Sequence, residues 1–215
     1  LIIPEAYGGM GIEQDSVSNA LALEALAYGD LSLAMSVSVP LLVAQIISEH
    51  GSEEQKGELL PKLVNGSIFH VGLGINNSLL STDPYQSDVT AEENGKEIIL
   101  NGSKTGVAFA NQANTFLISA SNESDECNLY FINKDQEGVT LEDKDFMGLK
   151  GAPLSQINLS NCKINASQKL GGHNYSINYE AFVDSSRIGM SALALGVCQA
   201  VLDYVVPYTN ERVAF

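Results

Sequence analysis

The sequence has no tryptophan and only three cysteines and three histidines among its 215 residues. The cysteines lie far apart and form no Cys-x-x-Cys motif, which is typical of a reducing compartment and gives no zinc site. They are Cys127, Cys162 and Cys198. The histidines show no ligand spacing either, so the sequence predicts no metal centre.

Cations are scarce: 11 Lys and Arg stand against 26 Asp and Glu, for a formal net charge of −15. Non-specific binding of DNA or of an anionic membrane requires clustered Lys and Arg, so nucleic acid is excluded as an expected partner. A small phosphorylated ligand needs only a few local cations and stays open. Apolar runs long enough to cross a bilayer without polar or breaking residues are also absent, which predicts no membrane span.

Helical patterns dominate the N-terminal part. Residues 14–28 are apolar nearly all round, which predicts a buried helix. Glu24 lies inside that run and is expected to be buried and bonded to a cation or to backbone amides. A second helix is expected over 31–50. Ser52, followed three residues later by Gln55, forms a capping box that predicts the start of a third helix.

The pattern changes to short, partly alternating apolar runs over residues 67–170. Gly, Asn, Asp and Ser divide these runs, and Asn94-Gly95 and Asn101-Gly102 are hairpin-type turns, so the segment predicts a compact antiparallel barrel or sandwich. The helical period returns from Tyr175 to Phe215. Gly189 and its small neighbours predict close packing of this last helix against another helix.

Five short motifs follow one another in a fixed order along the chain. They are Pro4-Glu5-Ala6-Tyr7-Gly8-Gly9, Glu24-Ala25-Leu26-Ala27-Tyr28-Gly29, Gly51-Ser52-Glu53-Glu54-Gln55-Lys56, Asn101-Gly102-Ser103-Lys104 and Glu211-Arg212-Val213-Ala214-Phe215. In order and spacing they resemble the acyl-CoA dehydrogenase family, and the resemblance covers essentially the whole chain. It implies an α+β fold with three parts: the end of an N-terminal helical domain at 1–66, a middle antiparallel β-domain at 67–170, and the first helix of a C-terminal helical bundle at 171–215.

In that family a carboxylate removes the α-proton of an acyl-CoA thioester, and the flavin accepts the β-hydrogen as hydride. The resemblance therefore implies FAD as cofactor, an acyl-CoA as substrate and α,β-desaturation as the reaction, in fatty acid metabolism. It also implies an electron-transfer flavoprotein-like acceptor and a homodimer or homotetramer. The expected location is the cytoplasm, or the mitochondrial matrix in a eukaryote.

Candidate site residues follow from the same resemblance, which aligns the family's flavin loop with residues 76–83. The implied flavin contacts are Leu73, Ile75, Asn76, Ser81, Thr82, Gly106, Val107 and Ala108, with Arg212 and Phe215 reaching a flavin in a neighbouring subunit. The implied contacts to the CoA portion are Thr82, Asp184 and Arg187. The Arg guanidinium suits that role because its fork binds phosphate or carboxylate at two points.

The residues alone leave other roles open for the two arginines. Arg187 follows Asp184 by three positions, which is the spacing of an ordinary ion pair on a helix surface. Arg212 stands where a cation stabilises the C-terminal end of a helix.

The sequence departs from the family at the flavin site and at the catalytic base. Asn77 and Ser78 replace a Glu-Pro pair, and Gly106-Val107-Ala108 replaces Trp-Ile-Thr, so a stacking ring and a hydroxyl are lost. Ser186 occupies a position where some members carry the base, and it cannot act as a carboxylate. No catalytic residue is therefore assigned in this chain, and the base is expected beyond Phe215.

Two function classes remain. The first is an FAD-dependent acyl-CoA dehydrogenase, of which this 215-residue chain alone is expected to be inactive. The alternative is a non-catalytic homologue that acts as a flavin-poor partner subunit or as a scaffold. The lost flavin-site residues favour the alternative, whereas the match along the whole chain favours the enzyme.

Overall fold

The computed structural model describes residues 3–12, 16–65, 71–77, 83 and 85–213. Four α-helices flank a seven-stranded sheet in sequence. The helices are α1 (Ser16–Gly29), α2 (Leu31–His50), α3 (Glu53–Asn65) and α4 (Tyr179–Glu211). The strands are β1 (Val71–Gly74), β2 (Thr90–Asn94), β3 (Glu97–Ala108), β4 (Thr115–Ser121), β5 (Cys127–Asn133), β6 (Val139–Lys144) and β7 (Leu154–Asn165).

Local signals fix the starts of the predicted helices. The Asp30 side chain accepts a hydrogen bond from the Leu33 N–H at 2.9 Å and so caps α2. Ser52 and Gln55 form the predicted capping box, in which the Ser52 N–H donates to Gln55 Oε1 at 3.0 Å and the Gln55 N–H donates to Ser52 Oγ at 3.2 Å. Pro40 is buried inside α2, and the helix continues through it.

The sheet confirms the predicted β region but is mixed rather than antiparallel throughout. Its order is β1-β4-β2-β3-β7-β6, with β5 on the other edge of β4. Hairpins join β2 to β3 and β6 to β7, whereas β1 pairs with β4 in parallel. The parallel pair arises because the β2–β3 hairpin lies between β1 and β4 in sequence, which lets the chain return in the same direction. The exact domain limits at 66 and 170 stay predictions.

Three clusters of buried side chains hold the elements together. The first joins α2 and α3 to β1, β5 and the start of α4. The second fills the inside of the curled sheet. The third lies under α1 and α2 and includes Phe109 and Leu193. The cleft described below opens where the first and third clusters meet.

The expectation that α1 and Glu24 are buried is wrong. Among the described residues of α1, only Ala27 is buried. Glu24 is half-buried, and its side chain has no bonding partner in the described part of the chain. The reason is that α1 packs on α4 with one face, while exposed Leu21 and Leu26 lie on surface that no described element covers. Apolar composition predicted burial, but burial needs a neighbouring element on every side.

Within the described part of the chain, two helices are long and apolar enough to cross a membrane by length and composition, namely α2 and α4. This differs from the expectation that no segment qualifies. The most apolar window of α2 is 33% buried, and α2 packs on α1, α3, α4 and β1. The window in α4 is 11% buried. The absence of a membrane span stays a prediction.

Candidate functional site

A cleft of about 930 Å³ lies between the helices and the sheet. Its described walls come from α1, α2, the end of β1, the end of β3 and the first half of α4. The walls are mostly apolar and include a few amide and charged side chains. This composition is typical of a cofactor or small-molecule site.

The floor of the cleft contains several of the predicted flavin contacts. Leu73, Ile75 and Asn76 line it from the exit of β1, and the Thr105 N–H donates to the Asn76 carbonyl at 3.1 Å, which ties that exit to β3. Gly74, on the same strand, leaves room for the Ile118 side chain of β4, because a Cβ at that position would lie 2.4 Å from Ile118 Cδ1.

Gly106 explains why the family's aromatic residue is absent from this floor. Its φ of +66° lies in the left-handed region that non-glycine residues rarely adopt, at a register shift of the β3–β7 pair between Lys104 and Val107. Any side chain at this position would be strained, so the backbone here does not favour an aromatic residue. Gly106 and Ala108 line the cleft, whereas the Val107 side chain is fully buried in the sheet core and faces away from it. The Val107 side chain therefore does not line the cleft, and the predicted flavin contact at Val107 stays a prediction.

Lys104 lies directly behind the floor. Its side chain is 1% exposed, and Nζ donates to Asn77 Oδ1 at 2.6 Å and to Ser87 Oγ at 2.8 Å. Burial lowers the pKa of Lys104 to about 8 because these two partners are neutral. Asn77 also accepts from the Asp88 N–H and donates to the Gln86 carbonyl, at 3.0 and 2.8 Å. One amide thus fixes the loop around residues 85–88 against β3.

Arg187 lines the cleft at its rim, and beside it lie the predicted CoA contact Asp184 and a residue that the sequence did not reveal, Tyr85. The Tyr85 hydroxyl donates to Asp184 Oδ1 at 2.9 Å and accepts from Arg187 Nη1 at 3.1 Å. The guanidinium carbon lies 5.5 Å from the centre of the Tyr85 ring. The direct Arg187–Asp184 distance is 3.7 Å, so the tyrosine hydroxyl makes the link between the two.

Tyr85 was missed because its partners lie about 100 residues away in sequence. The available signal was an aromatic residue in a polar loop beside Asp83, whose carboxylate accepts from the Tyr85 N–H at 2.9 Å. The hydrogen bond to Asp184 raises the pKa of Tyr85 above its ordinary value, so the hydroxyl remains a donor at neutral pH.

The remaining predicted residues do not meet at this cleft within the described structure. Arg212 follows the end of α4, with its guanidinium over the Tyr208 ring. It stands about 37 Å along the helix axis from Arg187, given the rise of an α-helix. Its contact with a flavin in another subunit stays a prediction. Ser81, Thr82 and Phe215 lie outside the described residues.

The residue at the base position, Ser186, cannot abstract a proton. The Ser186 hydroxyl donates to the Val183 carbonyl at 2.7 Å, one turn back on α4. Among the described residues that line the cleft, Asp83 is the one carboxylate, and it is engaged in the turn at Tyr85. The described part of the cleft therefore offers binding groups rather than a base.

The cleft fits the flat ring of a flavin. Its volume and apolar walls suit a planar aromatic group, and Asn76 offers an amide to the polar edge of such a ring. A Cβ at Gly106 would lie 3.5 Å from Asn76 Nδ2, so glycine leaves the floor open beside that amide. The stacking ring of the family is missing, which predicts weaker retention rather than loss of fit.

Two models of known protein domains match the chain, and both describe domains of acyl-CoA dehydrogenases. The acyl-CoA dehydrogenase N-terminal domain matches residues 1–67, and the acyl-CoA dehydrogenase middle domain matches residues 79–162. Together they cover more than half of the chain.

Individual relatives agree with these matches. The rat short/branched chain specific acyl-CoA dehydrogenase is 29% identical over 97% of this chain and 49% of its own length. A Mycobacterium smegmatis glutaryl-CoA dehydrogenase solved in complex with FADH2 has a TM-score of 0.80 at 27% identity, covering 97% of this chain and 54% of that one. A glutaryl-CoA dehydrogenase solved with glutaryl-CoA has a TM-score of 0.82 at 28% identity, covering 100% and 56%. The chain thus spans about half the length of the relatives that it matches.

Proposed function

Because the chain belongs to the acyl-CoA dehydrogenase family, we propose that the protein uses FAD to oxidise an acyl-CoA thioester by introducing a double bond between its α and β carbons. One observation carries this proposal: a single cleft joins the apolar floor at Leu73, Ile75 and Asn76 to Arg187 on α4. An elongated acyl-CoA could then reach a flavin ring on the floor with one part and bind Arg187 at the rim with its anionic part.

The described residues supply binding and orientation. Leu73, Ile75 and Ala108 present apolar surface that excludes water from a flat ring, while the Asn76 amide can hydrogen-bond its polar edge. When bound, FAD supplies the acceptor for the hydride that leaves the β-carbon. Arg187 binds the anionic part of the CoA through the N–H groups that it does not give to Tyr85.

Removal of the α-proton needs a carboxylate that the described cleft does not offer. Ser186 is bonded to a helix carbonyl, and Asp83 is engaged with Tyr85. We therefore assign the base to a residue C-terminal to Phe215 and expect no turnover from the 215-residue chain alone. The same proposal includes an electron-transfer flavoprotein-like acceptor and a cytoplasmic or mitochondrial location. It also includes a homodimer or homotetramer in which Arg212 contacts the flavin of a neighbouring subunit.

The second candidate is a non-catalytic homologue that serves as a flavin-poor partner subunit or scaffold. The left-handed bulge at Gly106 favours it, because no aromatic side chain covers the floor at that position. An aromatic partner is typically worth ~0.5–1.5 kcal/mol beyond area burial. We expect FAD to be retained but more weakly than in relatives.

The test is a dye-coupled assay of the complete protein with a panel of acyl-CoA thioesters, run beside the visible absorbance of bound flavin. We expect a yellow protein whose flavin is bleached by at least one acyl-CoA. Arg187→Ala should raise KM about tenfold or more, since it removes a charge-assisted contact of about 1.5–3 kcal/mol. Lys163→Ala removes an exposed cation on the sheet and is the control that should leave KM unchanged. A flavin that no acyl-CoA reduces would assign the protein to the second candidate.

A further inference from the structure

The Tyr85 ring packs against the core beside the rim of the cleft, whereas the side chains of Arg187 and Asp184 are exposed. Tyr85 is half-buried and packs against the first core cluster. The side chains of Arg187 and Asp184 are 55% and 59% exposed and stand at an i,i+3 spacing. An exposed pair of this kind contributes little to fixing either side chain, because the ordering of two long side chains offsets the attraction.

Hydrogen bonds from Asn77, which Lys104 of β3 bonds in turn, fix the loop that carries Tyr85. Asn77 bonds the Gln86 carbonyl and the Asp88 N–H, and Lys104 bonds Asn77 from β3. A chain of contacts therefore runs from the sheet through the loop to Tyr85, and from there to α4. Among the described residues, the hydrogen bonds of Tyr85 to Asp184 and Arg187 link the side chains of this loop to α4.

We propose that Tyr85 is a positioning residue for substrate binding: its hydroxyl and ring together hold the Arg187 guanidinium at the rim, preset for the anionic part of a CoA thioester. This inference rests on the proposed function. The hydroxyl accepts one Arg187 N–H and gives its own proton to Asp184, so the carboxylate is occupied by the phenol. The other guanidinium N–H groups have no partner among the described residues, and Arg187 lines the cleft, which leaves them available to an anionic ligand.

The geometry gives Tyr85 two separable contributions. The hydroxyl fixes the direction of one guanidinium N–H, and the ring face attracts the cation as a whole. Presetting a side chain lowers the entropy lost on binding, so it acts on affinity for the bound substrate. Tyr85 lies at the rim and does not reach the floor, which predicts an effect on KM with little effect on kcat.

The experiment compares Tyr85→Phe and Tyr85→Leu with the unaltered complete protein. Tyr85→Phe keeps the ring and should raise both KM for acyl-CoA and Kd for free CoA about two- to tenfold, the loss expected for one hydrogen bond. Tyr85→Leu also removes the ring and should raise both further. The value of kcat should stay within about twofold in both variants. Free CoA binding is measured by calorimetry, which needs no turnover.

Two controls separate positioning from a general structural effect. Tyr28→Phe removes a Tyr–Asp bond of 3.1 Å between α1 and Asp203 of α4, where neither residue contacts Arg187, and should change neither KM nor Kd. In an Arg187→Ala background the effect of Tyr85→Phe should vanish, because the positioned group is gone. An effect of equal size in that background would overturn the inference.

The outcomes also separate this inference from the proposed function. Turnover by the unaltered protein with unchanged KM and Kd in Tyr85→Phe would refute the positioning role alone. CoA binding that depends on Tyr85 and Arg187 without any flavin reduction would uphold the positioning role and refute the desaturation reaction. Failure of the unaltered protein to bind CoA would refute both.

Discussion

At the scale of single residues, Lys104 is a buried ammonium whose bonded partners carry no charge. Asn77 Oδ1 and Ser87 Oγ satisfy two of its N–H groups at 2.6 and 2.8 Å. Neutral acceptors compensate the lost hydrogen bonds to water but not the lost solvation of the charge. Burial therefore lowers the pKa of Lys104 to about 8, although the negative charges of Cys127, when ionised, and of Asp88 act in the opposite direction.

This pKa predicts a specific dependence of stability on pH. An unfolded lysine titrates near 10.4, so between pH 8 and about 10.4 the unfolded state binds more protons than the folded state. The free energy of unfolding should therefore rise with pH across that window, by on the order of 3 kcal/mol from this residue, whereas below pH 8 the penalty for burying the charge is fully present. Urea titrations of the complete protein and of Lys104→Met, taken as a difference, isolate this contribution.

Asn77→Asp is the matched variant for Lys104. It keeps an oxygen acceptor at the position 2.6 Å from Nζ and adds a negative charge, so it should raise the pKa of Lys104 and flatten the rise between pH 8 and 10.4. A rise that is the same in Asn77→Asp, or that survives in Lys104→Met, would show that other groups cause it.

At the scale of elements, α1 and α4 cross with their backbones in contact at Gly196. A Cβ at this position would lie 2.1 Å from the Glu24 carbonyl oxygen and 2.9 Å from the Tyr28 nitrogen. Gly189, which the sequence singled out for close packing, would place its Cβ at an ordinary 3.6 Å from Leu23 Cδ1. The small-residue pattern thus predicted the tight crossing correctly but not the residue at its centre.

Gly196→Ala should separate these helices. We expect the free energy of unfolding to fall by about 1–3 kcal/mol through overpacking, which outweighs the gain of up to ~1 kcal/mol in helix propensity. The control is Gly57→Ala in α3, where a Cβ meets nothing within 4 Å and stability should rise by about 0.5–1 kcal/mol. Urea unfolding measures both. The two variants should change stability with opposite signs, and a stabilising Gly196→Ala would contradict the crossing geometry.

Elements with local signals were predictable from sequence, and those that depend on distant partners were not. The helix over 31–50, the capping box at Ser52 and the turn at Gly95, with φ +64°, follow from neighbouring residues. The parallel β1–β4 pair and the link from Tyr85 to α4 depend on segments far apart in sequence. For the site, the resemblance located the floor and Arg187, but only the backbone showed that Gly106 occupies a left-handed bulge.

At the scale of the whole molecule, α4 exposes a continuous apolar surface. Eleven per cent of its most apolar window is buried, and exposed apolar side chains follow one another along its second half. They include Leu195, Val201, Leu202, Tyr204, Val205, Val206 and Tyr208. Contiguous apolar patches of this extent on a soluble protein mark an interface or an aggregation liability. The net charge of −15 opposes association but is spread over the whole chain.

We therefore expect the 215-residue chain produced by itself to associate. Val201, Leu202 and Val205 lie on adjacent positions of α4 with 55%, 55% and 42% exposure. Replacing them with Ser, Gln and Ser removes apolar surface without changing the net charge, so it should shift the chain toward the mass of one copy in size-exclusion chromatography with light scattering. Met147→Gln removes an isolated side chain that is 99% exposed and should leave the mass unchanged. If the unaltered chain is monomeric, or if Met147→Gln dissociates it as effectively, then the α4 surface does not drive association.

With the complete protein the same triple variant should lower stability instead of restoring solubility, because there we expect other segments to cover this face of α4 and to lose apolar contact with it.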